Sequence, residues 1–261
     1  MHQVFRSIEF LRHRFTAGDE HDIHSPFIYD LYTNVITENN AYYVFDKIES
    51  IRSKMLLSEE KIPVQDFGTG GEEQKQRVLK LSFIARHFVK TEKEARLLFR
   101  LVNFFRPLSI LELGTSLGIT TLYLATPNSK TKVVTIEGCP NTAAVAGKNF
   151  ELAGIKNIIQ EVSEFNKSMP IALSHFKKID FAYFDGNHRK EATLQYFNSC
   201  LEFHDVNSVF VFDDIYWSKE MADAWNEIRN HPAVTVSIDL YSMGIVLFRH
   251  TLPKQHFKLR F

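Results

Sequence analysis

SILELGTSLGITTLYLA, residues 109–125, is the stretch from which the fold is read. It opens on a short apolar run, Ile110, Leu111 and Leu113, interrupted by one acid, Glu112. Gly114 and Gly118 follow, with Thr115 and Ser116 among the residues between them, and a helix-like run over residues 120–125 closes it. Strand, glycine turn and helix form the physical recipe for a nucleotide site. A glycine lets the backbone approach a ligand closely, and the next helix presents unpaired N–H groups there. The spacing is Gly-x-x-x-Gly, not the G-x-G-x-x-G of dinucleotide folds. The same pattern also describes a tight strand-to-helix turn that binds nothing.

Downstream, strands alternate with helices. Residues 132–136 (KVVTI), 158–162, 179–184 (IDFAYF) and 208–212 (SVFVF) read as strands. Helices run from Pro140 to a stop at Gly154, over residues 189–200 and over residues 218–230. Residues 234–240 and 245–249 are strands joined by a tight link ending in Gly244, which makes a hairpin with one antiparallel strand. This alternation predicts an α/β fold with a mostly parallel sheet covered by helices on both faces. Ligands of such sheets sit beyond the carboxyl ends of the strands.

Upstream of residue 107 the chain reads as helical. Val4, Phe5, Ile8, Leu11 and Phe15 share one side of a helix, with Arg6, His13 and Arg14 mostly on the other. That pattern predicts a helix packed on the body; it also suits a mobile lid or a weak membrane-surface helix. Ser25 and Pro26 are start signals for a helix over residues 26–36. His21, Asp22 and His24 are ligand-type residues, but before a helix they read as capping and surface groups. Phe45, Ile48, Ile51 and Met55 mark another amphipathic helix. The glycine-rich segment 66–71 imitates the principal turn, yet residues 62–64 (IPV) make a poor strand before it, so it reads as a flexible connection. A helix is expected over residues 74–88. Thr91 and Glu94 form a capping box that starts another, and Pro107 ends it.

Composition narrows the class. The chain has 261 residues, 44% hydrophobic, enough for one large domain or a domain with an appendage. Thirty-one basic residues balance 31 acidic ones, which argues against a protein built to coat nucleic acid. Cys139 and Cys200 fit neither a disulfide framework nor a zinc site. Charges interrupt the first apolar stretch, and no run approaches a membrane span, so a soluble cytoplasmic protein is expected, without stable membrane insertion.

The chemistry-bearing residues sit at strand ends. Glu137 closes the second α/β strand, where a carboxylate can accept both hydroxyls of a ribose; an acid before a helix is also favoured by the helix dipole. Ser163 closes the third. Asp185-Gly186-Asn187-His188 ends the fourth, and Asp213-Asp214 the fifth. Three carboxylates converging there repel one another unless a cation or buried donors compensate. Hard oxygen ligands suit Mg2+ or a similar divalent ion. His188, three residues after Asp185, can take a proton near neutral pH. Alternatively these acids cap the helices that follow.

Together these segments resemble the class I S-adenosylmethionine-dependent methyltransferases. ILELGTSLGITTLYLA looks like their motif I, and LELGTSLGITT is similar to the O-methyltransferases of the catechol and caffeoyl-CoA type. VVTIEG resembles their second-strand acid segment, and IDFAYFDGNH and VFVFDDIYWS their metal-site segments. The resemblance covers about residues 88–250. It implies a Rossmann-like, seven-stranded, mostly parallel sheet whose final strand is antiparallel, over residues 88–261. The helical N-terminal extension over 1–87 lies outside the resemblance; its many Phe and Tyr suit a cover for the acceptor site. It implies S-adenosyl-L-methionine held by Glu112, Gly114, Thr115, Ser116, Gly118, Glu137, Ser163 and Asp185. It implies a divalent metal at Asp185, Asp213 and Asp214, and catalysis by Asp185 and His188. Catechol-type relatives carry Lys where His188 stands and Asp-Asn where Asp213-Asp214 stands; the D-G-x-H form resembles relatives that methylate sugar hydroxyls.

The expected activity is transfer of a methyl group to a hydroxyl of a small, partly apolar molecule, with a homodimer possible by analogy. Alternatives are a metal-independent methyltransferase on another acceptor, nucleic acid or protein included, and a non-catalytic cofactor-binding protein of the same fold. A dehydrogenase calls for the absent G-x-G-x-x-G. A methyltransferase of exocyclic base amines calls for an Asn/Asp-Pro-Pro-aromatic motif where Asp185–His188 stands.

Overall fold

A computed structural model describes residues 2–65 and 76–261; the glycine-rich segment 66–71 lies outside the described residues. The strands are β1 (Lys61–Gln65), β2 (Gln76–Lys80), β3 (Ser109–Leu113), β4 (Lys132–Glu137), β5 (Ile158–Val162), β6 (Phe181–Phe184), β7 (Val209–Asp213), β8 (Val236–Asp239), β9 (Met243–Leu247) and β10 (Gln255–Lys258). The helices are α1 (His2–Thr16), α2 (Pro26–Leu31), α3 (Tyr43–Leu56), α4 (Leu81–His87), α5 (Glu92–Phe105), α6 (Ile119–Ala125), α7 (Pro140–Ala153), α8 (Phe165–Ser174), α9 (Lys190–Leu201) and α10 (Lys219–Asn230). The fold is α/β with mostly parallel strands and helices on both faces. One strand, β9, runs antiparallel to both its neighbours. Two units of dense contact divide the chain: Met1–Glu38 with Lys177–Phe261, and Asn39–Phe176.

In the unit Asn39–Phe176, β3 pairs in parallel with β4, and β4 with β5. Glu112 stands opposite Thr135, and Leu113 opposite Ile136. The helices stop and start where their sequence dictates. Thr91 and Glu94 close a reciprocal capping box on α5. Pro140 opens α7, and Gly154, at φ 69°, closes it in the left-handed conformation that glycine adopts at no steric cost. One apolar cluster gathers Phe45, Ile48 and Ile51 of α3, Phe99 of α5, Leu122 and Tyr123 of α6, and Phe150 of α7. Part of the segment expected as an appendage therefore shares a core with the helix that follows the glycine turn. Each fully buried Phe or Ile contributes about 1.5–3 kcal/mol.

Two expectations fail in this unit. Residues 74–88 were expected to be one helix; Gln76–Lys80 is a strand and only Leu81–His87 is helical. The strand exists because it pairs antiparallel with Lys61–Gln65, the segment that Pro63 made look unfit. In a two-stranded ribbon both strands are edges, so a proline N–H can be spared. α8 was not foreseen; its Pro170 lies inside the helix.

In the unit formed by the chain's two ends, β6 pairs in parallel with β7, β7 antiparallel with β9, and β9 antiparallel with β8. A further strand beyond the expected seven, β10, pairs in parallel with β8. Phe210, Phe212, Phe197 and Phe248 pack edge-to-face around β7. Gly244 is small because the Trp225 ring lies against it; a Cβ there would meet ring atoms at 2.6 Å. The helix expected over residues 26–36 ends in a π-helical turn, Tyr32–Ile36, and Ser25 makes no side-chain cap bond. Asp22 closes a capping box with Asp19.

α1 corrects a third expectation. Of the five residues expected to face the body, Phe5 is half-buried while Val4, Ile8, Leu11 and Phe15 are exposed, and His13 is the buried residue of the helix. The reason lies in Asp239, a buried carboxylate at the end of β8. A buried charge demands partners. His13 Nε2 lies 3.3 Å from Asp239 Oδ1, and Tyr241 OH donates to the carbonyl of Arg6 at 2.9 Å. Polar pairing sets the rotation of the helix and turns its apolar stripe outward.

Candidate active site

The glycine turn follows β3. Gly114 has φ 104° and Gly118 φ 77°, with Ser116 at φ 49° between them. The N–H groups of Gly114 and Thr115 donate to the carbonyl of Ile136 at 3.0 and 3.2 Å, which ties the turn to β4. Gly118 is the N-cap of α6, and a Cβ there would come within 2.5 Å of the Phe150 ring. The glycine is required twice, by backbone conformation and by the approach of α7.

Glu112 is wholly buried. Its Oε2 accepts from Thr121 Oγ1 at 2.5 Å and Thr135 Oγ1 at 2.6 Å, and Thr135 Oγ1 lies 2.6 Å from Thr115 Oγ1. One carboxylate thus joins strand, turn and helix. Burial pushes its pKa up to about 7 against the pull of the two threonine hydroxyls.

Glu137 ends β4, half-buried. Ser116 N–H donates to Oε2 at 2.7 Å and Cys139 N–H to Oε1 at 2.8 Å. Burial raises its pKa, and these amides work against that rise. The Thr142 hydroxyl and the Gly138 N–H also act on this carboxylate. Ser163, directly after β5, is half-buried.

The acidic groups lie in the other unit, at the ends of β6 and β7. Asp185 follows Phe184; its Oδ2 accepts from Tyr183 OH at 3.2 Å, and its Oδ1 lies 3.7 Å from His188 Nε2. Asp213 is the last residue of β7 and wholly buried, opposite Met243 of β9. One ligand atom from each of Asp185, His188 and Asp213 lies within 4.8 Å of the others. Two oxygens and one imidazole nitrogen are a donor set that a divalent cation accepts. Asp214 is outside that group of atoms. It sits at φ 50°, donates its N–H to Ser242 O at 2.7 Å and accepts Trp217 N–H at 2.8 Å. Trp217, which the sequence reading did not single out, places its ring 6.2 Å from that of His188.

Ser116, Asn187 and Asp214 all have positive φ, each in the turn after a strand: β3, β6 and β7. Left-handed backbone at non-glycine residues is strained, and such strain gathers at sites where ligands bind.

Residues 111–215 match the family model of a methyltransferase domain. That segment runs from Leu111 of β3 past Asp213 and Asp214, so it holds the glycine turn, Glu137 and the acidic group. The fold is the one seen in S-adenosylmethionine-dependent O-methyltransferases of known structure. The individual likenesses are distant. The O-methyltransferase TomG from Streptomyces achromogenes, involved in tomaymycin synthesis and solved with SAM, is 15% identical at a TM-score of 0.58, over 85% of this chain and 95% of that chain. The Bacillus cereus O-methyltransferase solved with SAH is 16% identical at 0.55, over 84% and 96%. The SAH-bound Podospora anserina methyltransferase PaMTH1 is 12% identical at 0.59, over 87% and 97%. No curated protein matches the chain by sequence.

Proposed function

We propose that this chain transfers the methyl group of S-adenosyl-L-methionine to a hydroxyl of a small, partly apolar molecule, with a divalent cation such as Mg2+ held by Asp185 and Asp213. The observation that carries this reading is the gathering of Asp185, His188 and Asp213 donor atoms within 4.8 Å, inside a segment that matches a methyltransferase domain. A bound hard cation lowers the pKa of a hydroxyl beside it.

The chain's own residues supply the rest. The Gly114–Gly118 turn admits the methionine part of the cofactor, and Glu137, braced by the Ser116 and Cys139 amides, accepts the ribose hydroxyls. Tyr183 fixes the orientation of Asp185 through its hydroxyl. His188 Nε2 receives the acceptor's proton. S-adenosyl-L-methionine, when bound, would supply the methyl group to the acceptor oxygen, its carbon–sulfur bond breaking to leave S-adenosylhomocysteine. The Trp217 ring beside His188 carries the Arg6 guanidinium 4.4 Å from its centroid, and it favours an acceptor with a flat part.

The test is methyl transfer from labelled S-adenosylmethionine across a panel of catechols, phenols and sugars, with Mg2+ and with chelator. Transfer that needs the cation and is lost in Asp185→Ala supports the reading. Full transfer in chelator removes the metal from it. Cofactor binding with no transfer to any acceptor makes the chain a non-catalytic binder.

A further inference from the structure

α1 presents to solvent the face that its sequence would bury. Val4 is 65% exposed, Ile8 45%, Leu11 51% and Phe15 82%. At about 100° per residue these four fall within an arc of about 60°. The helix cannot roll to hide them, because its opposite face is fastened: His13 to Asp239, the Arg6 carbonyl to Tyr241 OH, and the Phe10 ring edge-on to Tyr241 at 5.3 Å. An apolar stripe held outward by polar pairing on its inner side calls for an occupant.

The charges beside the stripe say which one. Arg12 lies about 70° to one side of its centre and Arg14 about 90° to the other, both exposed. Lys258 Nζ, 3.3 Å from Thr16 Oγ1, adds a third cation at the end of the helix. Glu9 is the only acid of the helix, and it pairs with Arg12 at 2.7 Å. We propose that α1 docks the protein on an anionic lipid surface, lying in the headgroup plane with Val4, Ile8, Leu11 and Phe15 inserted and Arg12, Arg14 and Lys258 beside lipid phosphates. Aliphatic and aromatic side chains on one face with arginines flanking them is the pattern of an interfacial helix. A second copy of the chain fits worse. Antiparallel α1 helices would bring arginines against arginines with one acid per helix to offset them. Four apolar side chains are also few beside the roughly 20–30 residues a side of a stable interface.

The experiment is flotation of the full chain with phosphatidylcholine vesicles, with and without about one-third phosphatidylserine, at about 0.1 M and about 0.5 M NaCl. The chain binds the phosphatidylserine vesicles at low salt, binds plain vesicles at least about tenfold more weakly, and is largely released by high salt. The double substitution L11S/F15S lowers binding about tenfold or more, as does R12Q/R14Q, with circular dichroism and the thermal midpoint unchanged; every altered side chain is exposed, so the fold is untouched. Failure of the wild-type chain to float with phosphatidylserine vesicles overturns the proposal. So does equal binding by L11S/F15S, or a concentration-dependent dimer that L11S/F15S dissociates, since the stripe then covers a second copy.

Discussion

Thr121 of α6 donates its hydroxyl to Glu112 of β3 at 2.5 Å, and that bond fastens the helix after the glycine turn to the strand before it. The carboxylate it reaches is wholly buried and has its pKa raised from 4.5 to about 7, chiefly by burial. Between those values the folded state holds a proton that the unfolded state has released, so this group's stabilisation is full below about pH 4.5 and falls as pH rises towards 7. A shift of that size corresponds to about 3 kcal/mol. Glu112→Gln removes this dependence and makes the protein more stable than wild type at pH 8. Urea unfolding at pH 5 and pH 8 checks it; the same loss between the two pH values in both proteins contradicts the assignment.

Asp239 behaves in the opposite sense. Burial alone would raise its pKa, but His13, Tyr216 OH at 2.6 Å and the Tyr241 N–H at 2.9 Å outweigh burial and lower it. The resulting stabilisation is present above the unfolded value of 3.8 and is lost as pH falls through the lower folded value. Asp239→Asn should cost about 3 kcal/mol at pH 7 and loosen α1. Denaturant unfolding measures the first, and amide hydrogen exchange over residues 2–16 the second. Unchanged protection of that helix would show that His13–Asp239 does not fasten it.

Gly118→Ala tests the turn. At φ 77° an alanine is strained, and its Cβ meets the Phe150 ring at 2.5 Å. The expected loss is about 2–4 kcal/mol, from strain and overpacking together. Calorimetric titration should show weaker S-adenosylmethionine binding as well. Wild-type stability and affinity in this variant would mean that the turn yields easily.

His188→Gln separates a base from a ligand. As a base, His188 contributes about 100-fold or more to kcat, while cation affinity barely moves. A large loss of Mn2+ affinity in this variant would make His188 a third ligand instead.

Much of the fold is legible in sequence because local signals there agree with tertiary structure. The Gly114–Gly118 turn, the Thr91–Glu94 box, the Pro140 start and Gly154 stop of α7, and the alternating strands from β3 to β9 all stand where their residues place them. What was not legible depends on distant partners. Lys61–Gln65 and Gln76–Lys80 become strands only by pairing with each other, and β10 only beside β8. The rotation of α1 is set by Asp239, more than 200 residues away along the chain. The strand-end acids could be found by type and spacing. That Asp213 shares a cluster with Asp185 and His188 while Asp214 shapes the turn depends on the backbone at φ 50°, which two adjacent aspartates do not encode.

Mn2+ titration of the full chain, followed by electron paramagnetic resonance, shows whether Asp185 and Asp213 hold a cation. One bound ion is expected in the wild-type chain. Asp213→Asn loses affinity about 100-fold or more, since removing a ligand costs more than removing the group that orients one, and Asp214→Asn changes it within about twofold. A wild-type chain that binds no Mn2+, or an Asp213→Asn variant that binds it as well as wild type, means that Asp185 and Asp213 hold no cation.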